Sequence, residues 1–112
     1  MSKPVKLIAL IKGHPGMHSP EEFGDYWLKT HAPYTLKFKN LKEYRINLPL
    51  SEYQEIEGEL PYNGTAELWW DSLEEMKEDF ASPEAEAALK DAALFMTPTH
   101  IYTREYIMKK SE

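Results

Sequence analysis

Three serines, Ser19, Ser72 and Ser82, each head a stretch that reads as the first turn of a helix, and they frame everything the rest of the chain can do. In Ser19-Pro20-Glu21-Glu22 a proline takes the first helical position and a glutamate sits three residues past the serine. That is a capping box, in which serine oxygen and glutamate carboxylate each satisfy a backbone N–H that the helix leaves unpaired. Ser72-Leu73-Glu74-Glu75 repeats the device for a short helix, and Ser82-Pro83-Glu84 opens another that runs through alanines toward Phe95. The segments between the caps must then supply the strands. KLIALIK, Lys6 to Lys12, is a short apolar run closed by the turn residues GHPG, as expected of a strand buried on both faces. Leu41 to Leu48 alternates Tyr44 and Ile46 with charged residues, and Thr65 to Trp70 follows an Asn63-Gly64 turn. His100 to Met108, rich in Tyr, Thr and Ile, is expected to close the sheet. The acidic stretch from Leu50 to Tyr62 has no periodicity and reads as a long functional or mobile loop.

The order β-α-β-β-α-β is the ferredoxin-like arrangement of the α+β class, a four-stranded antiparallel sheet with helices on one face. Its length of 112 residues fits one domain, 1-112, with a single core. Strands such as Leu68-Trp69-Trp70 carry apolar groups on both alternating sets, so the second sheet face is expected to pack on another copy. A net charge of −6 with interspersed lysines argues against a nucleic-acid partner, which needs a basic stripe. The apolar run at the N-terminus is too short to span a bilayer and contains Lys6, so no membrane role is expected. Without cysteine the chain has no thiolate chemistry and no disulfides, which fits the cytoplasm.

The chemistry concentrates in FGDYWLKTHAPYTLKF, Phe23 to Phe38. At about 100° per residue Phe23, Trp27, Thr30, Tyr34 and Phe38 form one stripe, with His31 roughly 50° from its centre. Pro33 has no amide hydrogen and its ring clashes with the carbonyl four residues back, so the helix must kink or restart; Ala32, before the proline, is expected to leave the helical region. Freed carbonyls at a helix end favour an imidazolium, while burial beside Trp27 and Tyr34 favours the neutral ring. His31 is therefore either a hydrogen-bonded core histidine or a group tuned for proton transfer near neutral pH.

Other candidates carry weaker signals. His14 and His18 are four apart but separated by Pro15 and Gly16, so they do not share a helical face and no metal site is expected; His18 is placed to pack on Phe23. His14 follows the first strand, a candidate position for a pocket mouth, and His100 points either inward with Tyr102 or to water. Asp91 sits on the flank of the last helix, away from the Ala85, Ala88, Leu89 and Ala92 stripe, and either orients a pocket group or faces solvent. Tyr44 and Tyr62 are candidate pocket hydroxyls. The acids Glu52, Glu55, Glu57 and Glu59 lack the spacing of a calcium loop and read as solvated.

Three segments carry a family likeness: SPEEFGDYWLKTHAP with its preceding P-G turn, the strand GTAELWWDSLEEM, and FASPEAEAALKDAALF. Together they resemble the EthD-like family of the dimeric α+β barrel superfamily, the pattern F-x-x-Y-W-x-x-x-H-A-P from Phe23 to Pro33 being the most specific part. The resemblance implies a ferredoxin-like subunit, a homodimeric barrel, and a pocket between sheet and helices in each subunit. Similar proteins include lactone isomerases, polyketide cyclases and dehydratases, cofactor-free monooxygenases and decarboxylases. His31 matches the helix histidine that moves protons in catalytic relatives, and Trp27 and Phe23 match the motif aromatics. The chain lacks the haem-ligand motif of haem-binding cousins, and no cofactor is expected. The resulting expectation is a cofactor-independent isomerase, lyase or cyclase acting on a hydrophobic, carbonyl-bearing molecule such as a lactone or polyketide-like aromatic. His31 is its proton-transfer group, and Phe23, Trp27, Tyr34, Phe38, Trp70 and Phe95 are its apolar walls. The alternatives are a non-catalytic dimer that binds an apolar ligand and a cofactor-free monooxygenase.

Overall fold

The computed structural model describes residues 3–16 and 19–111. The elements run β1 (Val5–Gly13), α1 (Pro20–Tyr26), a π-helical turn (Trp27–His31), α2 (Ala32–Thr35), β2 (Glu43–Asn47), α3 (Tyr53–Glu57), β3 (Gly64–Trp70), α4 (Leu73–Phe80), α5 (Pro83–Phe95) and β4 (Met96–Thr103). The four strands form one sheet in the order β2-β3-β1-β4, every neighbouring pair antiparallel, which is the ferredoxin-like topology. All three serines cap their helices. The full reciprocal box forms at Ser19 but not at Ser72, where the Glu75 carboxylate accepts from the Ser72 hydroxyl instead of its amide. Ser19 Oγ accepts from the Glu22 amide while Glu22 Oε1 accepts from the Ser19 amide, both at 3.2 Å, and Ser72 and Ser82 accept from the amides of Glu75 and Ala85. Among the described residues no helix is long and apolar enough to cross a membrane.

The sheet divides its residues by alternation. Leu7, Ala9 and Ile11 of β1 and Ala66, Leu68 and Trp70 of β3 are buried under the helices. Trp27 and Trp70 are both 1% exposed; at about 25 cal/mol per Å² and about 150–250 Å² per ring, each contributes about 4–6 kcal/mol of burial. Two glycines let the helix come this close. A Cβ on Gly64 would lie 2.7 Å from the Trp27 ring and 2.8 Å from the Asn47 carbonyl oxygen, and one on Gly13 would lie 2.9 Å from the Phe23 ring.

The outward set on the opposite face is mixed rather than simply aromatic. Ile8, Leu10 and Trp69 share it with Lys6, whose Nζ stands 4.4 Å from the Trp69 ring centre and 2.7 Å from carboxylate oxygens of both Glu67 and Glu105. Burial would lower the Lys6 pKa, but the bonds to Glu105 and Glu67 hold it above the ordinary lysine value.

Three expectations need correction. The last strand begins at Met96, directly from α5, and ends at Thr103 rather than running from His100 to Met108. It is an outermost strand, pairing only with β1, so Pro98 can sit within it despite having no N–H to donate. The acidic segment is not wholly irregular, since Tyr53–Glu57 forms one helical turn and a half, closed by Gly58 at φ +87°. The acids of that segment are exposed, as solvated groups should be. Finally, Ala32 stays helical at φ −53°, ψ −37°. The turn before Pro33 widens instead, the Ala32 amide donating to the Trp27 carbonyl five residues back.

Candidate active site

That widened turn changes which residues face the core. A π turn contains one residue more than an α turn, so the buried stripe moves forward by one position after Trp27. Thr30, expected on the stripe, is exposed, and Tyr34 is half-buried at its edge. His31 and Thr35, one residue later in each case, take their places, and both are 7% exposed. The imidazole that a regular helix would leave on the flank is thereby turned inward.

A cavity of about 80 Å³ lies between sheet and helices and His31 forms part of its wall. Its floor is Leu7, Ala9 and Ile11 of β1 with Ala66 and Leu68 of β3, and Ala88, Leu89 and Ala92 of α5 close it from above. Trp27, Phe38, Phe80, Met96 and Pro98 complete the apolar lining. Among the described residues that line it, polar groups come from His31, Thr35, Tyr44 and His100, with the indole N–H of Trp27 turned to Tyr44.

Behind His31 stands a buried carboxylate. His31 Nδ1 is 2.8 Å from Asp91 Oδ2, and Asp91 Oδ1 accepts from the Tyr26 hydroxyl at 2.8 Å. Asp91 is 7% exposed, so it is not the solvated aspartate that its flank position also allowed. With a carboxylate as its partner, Nδ1 carries the hydrogen, which makes Nε2 the nitrogen able to accept a proton. Tyr26 is held in its neutral form: its bond to Asp91, then burial and the nearby negative charge, push its pKa to about 12. In a regular α-helix Tyr26 and His31 would point about 140° apart; the wider turn between them lets both reach one carboxylate. The His31 ring stands edge-on to Phe95 with centres 5.4 Å apart, and Tyr26 packs on the same ring at 4.6 Å.

The other polar groups differ in character. Burial raises the Tyr44 pKa, partly offset by side-chain hydrogen bonds with Trp27 and Thr35. His100 is half-buried, and burial lowers its pKa, so it is a neutral imidazole at neutral pH.

Of the residues expected from sequence, His31, Trp27, Phe38, Tyr44 and His100 meet at this cavity. Asp91 and Phe95 stand directly behind it. Phe23 is buried one layer further back, edge-on to Trp27 at 5.7 Å, because Gly13 admits its ring against the sheet. Tyr34 flanks His31 without lining the cavity. Trp70 does not reach the cavity either; its indole donates to Asp79 Oδ2 at 2.7 Å and fastens β3 to α4. Tyr62 packs beside Lys12, and His14 gives its amide to the Phe95 carbonyl, both outside the cavity. His18 lies outside the described residues. Among those residues no cluster of three or more His, Asp or Glu could hold a metal ion. Sequence reasoning missed Thr35 and Tyr26. Thr35 is four residues beyond His31, a spacing that shares a helical face, whereas the reach of Tyr26 depends on the π turn.

The subunit is thus an α+β fold with a carboxylate-backed histidine on an apolar cavity that opens to solvent. The chain belongs to the EthD family: the EthD domain matches residues 14–99. An EthD family protein of Bacillus halodurans C-125 is 27% identical, covering 92% of this chain and 99% of its own, with a TM-score of 0.76. SnoaB, a cofactor-independent oxygenase from Streptomyces nogalater, shares the fold at 13% identity, TM-score 0.67, covering 96% and 100% of the two chains. So does a dimeric ferredoxin-like protein of unknown function from Thermobifida fusca, at 14% identity, TM-score 0.69 and coverage of 94% and 93%. Among curated proteins no significant match was found.

Proposed function

We propose that the protein is a cofactor-independent enzyme that moves a proton on a small, mostly apolar, carbonyl-bearing substrate. The observation that carries this reading is His31, held through Nδ1 by buried Asp91 while its ring walls the cavity. Asp91 fixes the tautomer and stabilises the imidazolium that forms when Nε2 accepts a proton, and the apolar surroundings strengthen that charge pairing. The proton leaves the carbon next to the substrate carbonyl, and the C–H electron pair moves onto the carbonyl oxygen as an enolate. In this reading Tyr44 and neutral His100, both lining the cavity, donate hydrogen bonds to that oxygen. Return of the proton from His31 to a different carbon completes an isomerisation. Loss of a hydroxyl group beta to the carbonyl, as water once it takes that proton, completes a dehydration.

The size of the cavity favours a single ring, such as a lactone, over a fused polyketide-like aromatic. A cofactor-free oxygenase is the second reading, favoured by the structural likeness to SnoaB. It shares the first step, because a deprotonated substrate is also what dioxygen would oxidise. Dimeric relatives of the same fold and the apolar residues on the outer sheet face support a homodimer. A cysteine-free chain supports a place in the cytoplasm.

The test is a panel of monocyclic lactones and cyclic ketones, followed by thermal shift, product analysis and an oxygen electrode. Raised melting temperature with product and no oxygen uptake supports the isomerase or lyase. Stoichiometric oxygen uptake selects the oxygenase, and stabilisation without turnover selects a non-catalytic binder.

A further inference from the structure

A second hollow, a groove of about 1000 Å³, lies between α1 and the segment joining β2 to β3. Leu28, Leu48, Leu50 and Leu60 line it, and all four are at least 36% exposed. Its charged lining includes Glu21, Asp25 and Glu59, and among the described residues that line it none is basic. The acids Glu52, Glu55 and Glu57 lie on and beside α3, adding to the negative field. An apolar floor with charge of one sign selects an apolar segment that carries the opposite sign.

The chain contains such a segment. Tyr106, Ile107 and Met108 are 80%, 66% and 91% exposed and are followed by Lys109 and Lys110. They lie beyond the end of β4, and the residue before them, Glu105, is fastened to Lys6 and to the Trp69 indole. The tail thus leaves the sheet where β1 begins, since Thr103 pairs with Lys6. The groove lies at the other end, where the Asn63 amide donates to Ile11 and the Gly13 amide to the Asn63 side chain. To fill its own groove the tail would have to double back along the whole of β1.

We propose that the groove receives the Tyr106–Lys110 tail of a second copy of this chain, its apolar side chains on the leucines and its lysines against Glu21 and Glu59. In a two-fold dimer the exchange is reciprocal, two tails for two grooves. The proposal rests on the dimeric assembly and is independent of the catalytic reading.

Two measurements decide it. Unlabelled and ¹⁵N-labelled protein are co-refolded from urea, coupled with carbodiimide and digested. Lys109 or Lys110 linked to Glu21 or Glu59 in mixed-isotope pairs is the expected result; links within one isotope only, or none, overturn it. In sedimentation, the pair Lys109→Glu and Lys110→Glu should raise the dimer dissociation constant roughly ten-fold. Adding Glu21→Lys and Glu59→Lys to the same chain should reverse most of that rise. All four sites are exposed, so the core is untouched. An unchanged constant, or a rise that the swap fails to reverse, overturns the proposal.

Discussion

His31 depends on two neighbours that act at different distances. Replacing His31 with alanine removes the proton acceptor, and turnover should fall by about 10²–10⁴-fold while the fold is retained. Asp91→Asn keeps the shape but removes the charge that orients the ring and fixes its tautomer, and a loss of up to about 10⁴-fold is expected for such a positioning residue. The same variant carries an internal check: without the carboxylate, the Tyr26 pKa should drop from about 12 toward the ordinary tyrosine value. Ultraviolet titration of Asp91→Asn against wild type reads that drop. Tyr26 also gives a stability prediction with a definite sign. Its folded pKa is raised, so the folded state keeps a proton that the unfolded chain releases near pH 10. The stabilisation is complete below that pH and is lost as pH rises through about 12. Urea unfolding at pH 9 and pH 11 should show a steeper loss for wild type than for Tyr26→Phe; equal losses would exclude the Tyr26–Asp91 bond as the cause. In sequence, His31 and Trp27 stood out by type and spacing. The Asp91 bond did not, because 60 positions separate the pair and only the packing of α5 on the helix brings them together.

Within the elements, the legible features were those written in local chemistry. Serine caps, and apolar runs closed by glycine and proline, place the starts of α1, α4 and α5 and the bounds of three strands to within two residues, whereas α3, without a side-chain cap, reads as loop. The π turn was not legible, since it is a choice of hydrogen-bond partner, five residues back instead of four, and it cannot be read from side-chain periodicity. That single choice moved the buried face from Thr30 and Tyr34 to His31 and Thr35. The start of β4 was misplaced for another reason: Pro98 interrupts the strand pattern, and only its outermost position makes the proline harmless. The close seat of Trp27 on the sheet yields a prediction at this scale. Gly64→Ala places a methyl group against the Trp27 ring and the Asn47 carbonyl at once, so overpacking should cost about 1–3 kcal/mol in urea unfolding. Unchanged stability would contradict the contact.

As a whole molecule, the subunit buries one sheet face under its own helices and leaves Ile8, Leu10 and Trp69 on the other. Light scattering should give twice the monomer mass, and Ile8→Glu, a charge set among those residues, should give the monomer at micromolar concentration. A wild-type monomer under the same conditions would refute a sheet-to-sheet dimer. The catalytic reading also belongs to this scale, because the cavity draws on all four strands and on helices from both halves of the chain. It can be tested without knowing the natural substrate. Proton magnetic resonance in D₂O follows exchange of the hydrogens next to the carbonyl in monocyclic lactones and cyclic ketones, with wild type and with folded His31→Ala. The account predicts exchange well above the buffer rate for at least one compound with wild type, and exchange reduced by about 10²-fold or more in the variant. Equal exchange by the two proteins, or none above buffer across the panel, would contradict it.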